Sequence, residues 1–167
     1  MSGPIVFNAA GLAIKQGGAS PQFSTAKRVR YAINGNIYGV DPQTALSLPS
    51  TPVLGTNASV VFVVQVDANG NITAVGGGVG AGPNAPMPVP SAGNAALGFI
   101  WVRTNGSVTF TPGVTNLDDP GVTAEYVDSV GLPWWKMPYP RLPTAPWVSA
   151  AVLDTNPTPP VFNPQNF

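Results

Sequence analysis

The sequence predicts an all-β protein in which antiparallel hairpins form a small sandwich or barrel-like domain, with extended N- and C-terminal arms. Two apolar runs, residues 60–66 and 97–103, are short and rich in β-branched or aromatic side chains, which is typical of strands. Each run ends in a turn sequence containing Asn-Gly, and such a turn indicates a hairpin. Between the two runs, no stretch repeats its apolar residues with the period of a helix.

The first 58 residues divide into an arm, a hairpin and a connection. Residues 1–24 alternate short apolar patches with Gly, Ser, Pro and Gln, and nothing local holds them, so we expect an N-terminal arm. Residues 27–40 predict a hairpin, because residues 29–33 alternate apolar and polar before an Asn-Gly turn at 34–35. Residues 41–58 contain three prolines and predict a connection with at most one helical turn.

Two further hairpins follow in the central stretch. Residues 67–71 form a turn after the first apolar run, and residues 72–75 return as a strand. After the second run, Asn105-Gly106 is the strongest two-residue hairpin signal, because both residue types tolerate positive φ. Residues 107–111 alternate and are expected to pair back onto the second run.

The remaining parts of the β domain, which we place at residues 25–130, are a crossing and a last strand. Residues 76–90 are rich in glycine and then in proline, and they lack both a phosphate-loop ending and the dinucleotide fingerprint. We therefore expect a flexible or solvent-exposed crossing between sheets. Residues 122–128 predict a strand that carries Val122, Ala124 and Tyr126 on one face.

The first apolar run has apolar residues on both of its faces. Successive side chains of a strand point to opposite sides, so Val61 and Val63 lie on the face opposite Val60 and Phe62. Either a second sheet or another subunit must cover that second face. We predict Val61 and Val63 as interface residues of a homo-oligomer, which we expect to be a trimer.

Residues 131–167 form a proline- and tryptophan-rich C-terminal extension. Proline blocks both helices and central strands, so this segment cannot build a core of its own. Its aromatic side chains should nevertheless be buried, either on the chain's own sheet or on a partner. If the segment lies on a partner, we predict that its aromatic residues are the anchors of the contact: Trp134, Trp135, Tyr139 and Trp147. Lys136 and Arg141 would form the polar rim around them.

Composition favours a structural or interface protein. Charged residues make up 8% of the chain, against roughly 25% in an average soluble domain. The formal net charge is +0, with bases gathered in the first forty residues and acids at 118–128. We expect one of two roles for these charges: they lie at the exposed ends of strands and turns, or they pair with opposite charges on neighbouring subunits in an assembly. The basic surface is too small for nucleic acid, and no apolar run reaches the ~18 residues of a membrane span.

Side chains for catalysis are sparse. The chain has no His and no Cys, which removes the usual general base, the thiolate nucleophile and zinc-cysteine sites. Glu125 and Asp128 lie three apart on a predicted strand and so point to opposite faces, while Asp118 and Asp119 precede a proline as turn acids do. A two-carboxylate glycosidase is the disfavoured alternative. We predict no enzymatic activity, no cofactor and no metal.

The order of the segments resembles that of small structural proteins of tailed bacteriophages, of the head decoration or head fibre kind. The resemblance covers residues 29–130 and rests on four stretches: FVVQVDANGN (62–71), ALGFIWV (96–102), FTPGVTNLD (110–118) and GVTAEYVD (121–128). It implies a virion protein that binds the outside of the capsid as a trimer and contacts the major capsid protein. The C-terminal extension is not part of the pattern.

These observations lead to a main hypothesis and an alternative. The main hypothesis is a capsid decoration (cement) protein that binds and stabilises the outer head surface. The alternative is a tail fibre, spike or head-fibre module that binds a host receptor or glycan through exposed aromatic residues. Residues 1–4 show no signal peptide, so we expect synthesis in the host cytoplasm and a final location in the virion.

Overall fold

The computed structural model describes residues 3–130 of the chain. That range contains eleven strands and no helix, hence no helix long and apolar enough to cross a membrane. Its strand pairings are antiparallel, so the predicted all-β class is confirmed. The strands are β1 (Ile5–Val6), β2 (Leu12–Ile14), β3 (Gln22–Thr25), β4 (Val29–Ile33), β5 (Asn36–Val40), β6 (Gln43–Ser47), β7 (Ala58–Val66), β8 (Ile72–Gly76), β9 (Gly80–Ala81), β10 (Ala95–Thr104) and β11 (Val122–Asp128).

The strands form three sheets. The large sheet has the order β11-β10-β7-β8, and β9 pairs with the start of β7. Two three-stranded sheets, β1-β4-β5 and β2-β3-β6, pack against it. Because β2 contacts β11 and β6 contacts β8, the β2-β3-β6 sheet reaches both edge strands of the large sheet. The domain therefore combines a small sandwich with a partly closed, barrel-like arrangement.

The hydrophobic core of the described residues lies between these sheets. Strand β7 pairs with β10 on one side and with β8 on the other, and all nine of its residues are buried. Its core face consists of Val60, Phe62, Val64 and Val66. Burying one such side chain stabilises the fold by about 1.5–3 kcal/mol, so this strand contributes a large share of the core. Large side chains that other segments add are Phe23, Tyr31, Leu54, Leu97, Ile100 and Phe110.

Two hairpins form as predicted. In the β4–β5 hairpin, Ile33 pairs with Asn36, and the two turn residues Asn34 and Gly35 have φ angles of 52° and 84°. Positive φ at both positions is what a tight two-residue hairpin turn requires, and Asn and Gly are the residues that tolerate it. The β7–β8 hairpin is also confirmed, with Val66 paired to Ile72 across the predicted turn.

The predicted hairpin at Asn105-Gly106 does not form. Strand β10 pairs instead with β11, over seven residue pairs from Gly98 with Asp128 to Thr104 with Val122. Residues 107–111 leave the sheet, and Phe110 makes an isolated bridge to Leu54 that places its ring in the core. The longer ladder with β11 takes the edge of β10 that the hairpin would have used. Tertiary pairing therefore overrides the local turn signal here.

The segment predicted as a free N-terminal arm belongs to the sheets. Strand β1 pairs with β4, β2 pairs with β3, and β3 also pairs with β6, which forms where one helical turn was expected. Val6, Ala10 and Phe23 are buried in the core. The sequence suggested an arm because these strands are short, and because the partners of β1 and β3, which are β4 and β6, lie further along the chain.

Two acids near the end of the domain hold this N-terminal segment. One carboxylate oxygen of Asp128 accepts hydrogen bonds from the backbone N–H groups of Ala10 and Leu12, at 3.1 and 3.2 Å. Asp118 accepts one from the N–H group of Ala19 at 2.7 Å. Hydrogen bonds to a charged acceptor are stronger than neutral ones. Part of the acidic stretch, for which complementary charge on a neighbour was one alternative, thus serves contacts inside the domain.

The glycine- and proline-rich crossing packs on the large sheet. Gly77 donates a hydrogen bond to the Val61 carbonyl oxygen, and a Cβ atom on Gly77 would lie 2.7 Å from the Pro86 carbonyl oxygen. Further along, the Ser91 N–H donates to the Gln65 side chain at 2.7 Å. The bare Cα of Gly77 lets the proline-rich part of the crossing approach the outer face of β7. Pro86 and Ser91 are nevertheless exposed, so the crossing lies over the sheet and is also solvent-exposed, as expected.

Candidate functional site

The predicted interface residues have different outcomes. Val61 and Val63 are 6% and 1% exposed, because the crossing lies over the outer face of β7. The two-faced apolar run is thus covered within the chain, and these two valines are not available to a second subunit. The other predicted residues lie outside the residues that the structure describes: Trp134, Trp135, Lys136, Tyr139, Arg141 and Trp147.

The structure shows a different apolar surface, on the outer face of the β1-β4-β5 sheet. Ile5 pairs with Ala32, and Ala32 pairs with Ile37, so these three side chains form one row across three strands. Ile37 is 70% exposed. Phe7 follows two residues after Ile5, where its N–H donates to the Arg30 carbonyl, and it is 49% exposed. We call Ile5, Phe7, Ala32 and Ile37 the apolar row.

The apolar row lies beside an open strand edge and a basic rim. Among the described residues, β5 pairs with β4 only, so its other edge presents backbone N–H and C=O groups. On the same face the Arg30 side chain lies along Gly39, and nearby Arg28 pairs with Asp41 at 3.2 Å. An exposed apolar patch with polar residues at its rim is typical of a protein interaction surface.

The alternation of side chains in the β4–β5 hairpin also predicts this row. Within residues 29–33 and 36–40, the apolar residues Tyr31 and Tyr38 face the core, where their rings stack with centroids 5.5 Å apart. Strand alternation then places Ile37 on the opposite, solvent-facing side. An isoleucine on the outward side of a regular hairpin is the signal that could have identified the row.

A second feature is an open pocket at one end of the large sheet, which we call the loop pocket. It holds about 420 Å³ and lies where the segment before β7, the turn after β9, the end of β10 and the start of β11 meet. The lining residues are Asn57, Gly82, Pro83, Arg103, Thr104, Asn105, Gly121 and Thr123. Sequence reasoning missed this pocket because its residues come from four separate segments.

Backbone hydrogen bonds hold the loop pocket together. The Asn57 N–H donates to the Asn105 carbonyl at 2.9 Å, the Asn105 N–H to Gly121 at 2.9 Å, and the Gly82 N–H to Asn57 at 2.8 Å. The Thr104 hydroxyl accepts from the Ala58 N–H and lies 2.7 Å from the Gly55 carbonyl. These bonds link four segments into one frame and fix Asn57 at a φ angle of 52°.

One wall of the loop pocket carries the Arg103 side chain. Its guanidinium lies over the ring of Trp101, 4.5 Å from the ring centroid, and one nitrogen is 2.7 Å from a Glu125 oxygen. Both partners of this ion pair are partly exposed, so the pair contributes little to stability. Arg103 Nε and Trp101 Nε1 are shielded from solvent and have no hydrogen-bond partner among the described residues.

The acids near this wall take separate roles. Glu125, paired in register with Trp101, points to the outer face of the large sheet and contacts Arg103. Asp128 binds the N-terminal segment and Asp118 binds Ala19, as described above. These positions agree with the prediction that Glu125 and Asp128 point to opposite faces of their strand.

Two tyrosines have raised pKa values. Burial, and then the negative charge of Asp118, raise the pKa of Tyr126 to about 12. The Tyr126 hydroxyl is shielded and has no hydrogen-bond partner among the described residues. Burial also raises the pKa of Tyr31, whose hydroxyl donates to the Asp67 carbonyl at 2.8 Å. In both cases the folded protein disfavours the phenolate.

We expect Tyr126→Phe to flatten the alkaline part of the stability curve. Because the pKa of Tyr126 is about 12 in the folded state and 10.0 in its ordinary state, its contribution is full below pH 10 and is lost as the pH rises towards 12. Urea unfolding at a series of alkaline pH values measures this slope. Tyr139→Phe, at a position outside the described residues, is the control, because it leaves Tyr31, Tyr38 and Tyr126 in place. Equal slopes for Tyr126→Phe and the wild type would contradict the prediction.

Comparison with known proteins gives no match: no protein-family model, curated protein or solved structure corresponds to the chain.

Proposed function

We propose that this protein is a phage virion structural protein, a capsid decoration (cement) protein that binds the outer head surface as a homotrimer. The observation that carries the proposal is the apolar row, in which Ile37 is 70% and Phe7 49% exposed beside the open edge of β5. In a chain with 8% charged residues, such a surface is suited to permanent burial in an assembly. The resemblance of residues 29–130 to head decoration proteins supports the same function.

The mechanism follows from mass action. A protein that binds the assembled shell and not its dissociated subunits stabilises the shell by its own binding free energy. A standard interface of about 1,600 Å² is sufficient for each contact, and many symmetric copies add avidity. In this proposal the apolar row contacts the major capsid protein, and Arg28 and Arg30 form the polar rim of the contact. The aromatic residues of the C-terminal extension are further anchors.

The sharpest test replaces one residue of the apolar row. Ile37→Asp should weaken binding to capsids of a phage encoding this chain about 10- to 100-fold, because it removes the burial of a large aliphatic side chain. Binding is measured by co-sedimentation with capsids prepared without the protein. Val114→Asp is the matched control, since Val114 is 73% exposed in the loop between β10 and β11.

Two results would contradict the proposal. One is a wild-type protein that does not co-sediment with the capsids, and the other is an Ile37→Asp variant that binds as well as Val114→Asp. The trimer is tested separately by sedimentation of the purified chain at micromolar concentration. A monomer mass there would count against the homotrimer and would leave the capsid contact to the binding experiment.

A further inference from the structure

We propose that the loop pocket is a binding site for a neutral saccharide. Its volume of about 420 Å³ lies within the roughly 300–1,000 Å³ of small-molecule sites. The site is separate from the apolar row, and the proposal does not rest on the capsid-binding function.

The polar side chains of the loop pocket can both donate and accept hydrogen bonds. Asn57, Asn105 and Thr123 contribute two amides and a hydroxyl to the lining. Part of this capacity is already used, since Asn105 Oδ1 accepts from the Ser107 N–H. A sugar hydroxyl also donates and accepts, so it is the ligand group that matches such a lining. A ligand that only accepts or only donates would leave part of this capacity unused.

The charge of the loop pocket favours a neutral ligand over an anion. Arg103 is the charged residue of the lining, and Glu125 neutralises it at 2.7 Å. A phosphate or carboxylate would have to compete with Glu125 for the guanidinium. A neutral sugar can instead bind the side chains of Asn57, Asn105 and Thr123 and leave the pair of Arg103 and Glu125 intact.

The loop pocket is also held in one geometry before a ligand arrives. Asn57 is a non-glycine residue in the left-handed region of φ, and backbone hydrogen bonds on both sides of it keep it there. The Trp101 ring lies against the Arg103 guanidinium, and the Glu125 carboxylate also holds this guanidinium. A frame of this kind lowers the ordering cost of binding. A low ordering cost matters most for a small polar ligand, because such a ligand buries little apolar area on binding.

The test uses the full chain labelled with ¹⁵N and a panel of neutral oligosaccharides built from glucose, galactose, mannose, rhamnose and N-acetylglucosamine. We expect at least one of them to shift the side-chain amide signals of Asn57 and Asn105 in NMR titrations. Inorganic phosphate and oligogalacturonate are the anionic probes, and we expect weaker binding of both.

Two variants remove ligand contacts with little effect on the fold. Asn57→Gly removes the amide at a φ that glycine adopts freely, and Thr123→Val removes an exposed hydroxyl while keeping the side-chain shape. Each should weaken sugar binding about fivefold, the effect of one neutral hydrogen bond. Asn34→Gly is the matched control, because Asn34 has the same φ of 52° in the β4–β5 turn.

Three outcomes would overturn the proposal: no shift with any sugar of the panel, sugar binding that Asn57→Gly and Thr123→Val leave unchanged, or tighter binding of phosphate or oligogalacturonate than of every neutral sugar. The variants should bind capsids as the wild type does. Loss of capsid binding would therefore be a failure of the proposed function and not of the saccharide site.

Discussion

Gly98→Val should prevent the domain from reaching its native fold. Gly98 lies where β10 meets β11 and the N-terminal strand β2. A Cβ atom at this position would collide with the Val127 carbonyl oxygen and lie 2.7 Å from Leu12 Cδ1 and 3.0 Å from Asp128 Cα. Two of these three neighbours are backbone atoms that cannot move without breaking the β10–β11 ladder. We expect a loss of at least about 3 kcal/mol, the upper end of overpacking costs.

A graded series makes this measurement specific. Gly98→Ala should destabilise in the same direction as Gly98→Val but less, whereas Gly55→Ala should have little effect, because no atom lies within 4 Å of a Cβ added there. The yield of soluble protein and the urea unfolding midpoint are the measurements. A Gly98→Ala protein as stable as Gly55→Ala would contradict the close approach of β11 to Gly98.

Phe62→Ala should cost about 3–5 kcal/mol of unfolding free energy. Phe62 is 0% exposed in the centre of β7, between β8 and β10. Neighbours from two paired strands surround the ring, and their ladders prevent the backbone from closing the cavity. The cost should therefore include the full cavity contribution as well as the lost burial.

Urea unfolding of the purified variants measures this cost. Phe7→Ala is the control, because Phe7 is 49% exposed and its truncation should change stability by no more than about 0.5 kcal/mol. Similar unfolding midpoints for the two variants would show that β7 does not form the centre of the core. A smaller loss for Phe62→Ala, of about 1 kcal/mol, would indicate that the cavity collapses.

The parts of the fold that could be predicted are those in which local signals and pairing agree. The β4–β5 hairpin is specified by alternation and by Asn34-Gly35, and the two strands that it joins are each other's partners. Strand β11 was predicted with its observed bounds at residues 122–128, because its alternation is regular and one face is needed by the core. In both cases the alternation or turn sequence that specifies the element lies within the element itself.

The parts that could not be predicted depend on distant segments. Asn105-Gly106 has the sequence of a hairpin turn, yet the partner of β10 begins only at Val122. Strand β1 pairs with β4 and β3 pairs with β6, and Asp118 and Asp128 anchor the N-terminal segment from the far end of the domain. Neither segment of such a pair carries a signal that identifies its distant partner, so these pairings cannot be predicted from local sequence patterns.

The same limit applies to the sites. Val61 and Val63 were expected to be free for a partner because their cover, the crossing, contains too little local regularity to be assigned a position. The loop pocket brings together Asn57, Arg103 and Thr123, which are far apart in the sequence. The apolar row could have been found, because strand alternation alone places Ile37 outside.

The bonds from Asp118 and Asp128 to the N-terminal segment also determine when this domain can be completed during synthesis. The partners of these bonds are separated by 99, 116 and 118 residues. Ala10, Leu12 and Ala19 therefore leave the ribosome long before the carboxylates that hold them exist. Contacts of such range make folding slow, and strands without partners are open to pairing with other chains. The first strands to be made are thus among the last to be fixed, and the nascent chain depends longest on protection at its N-terminal end.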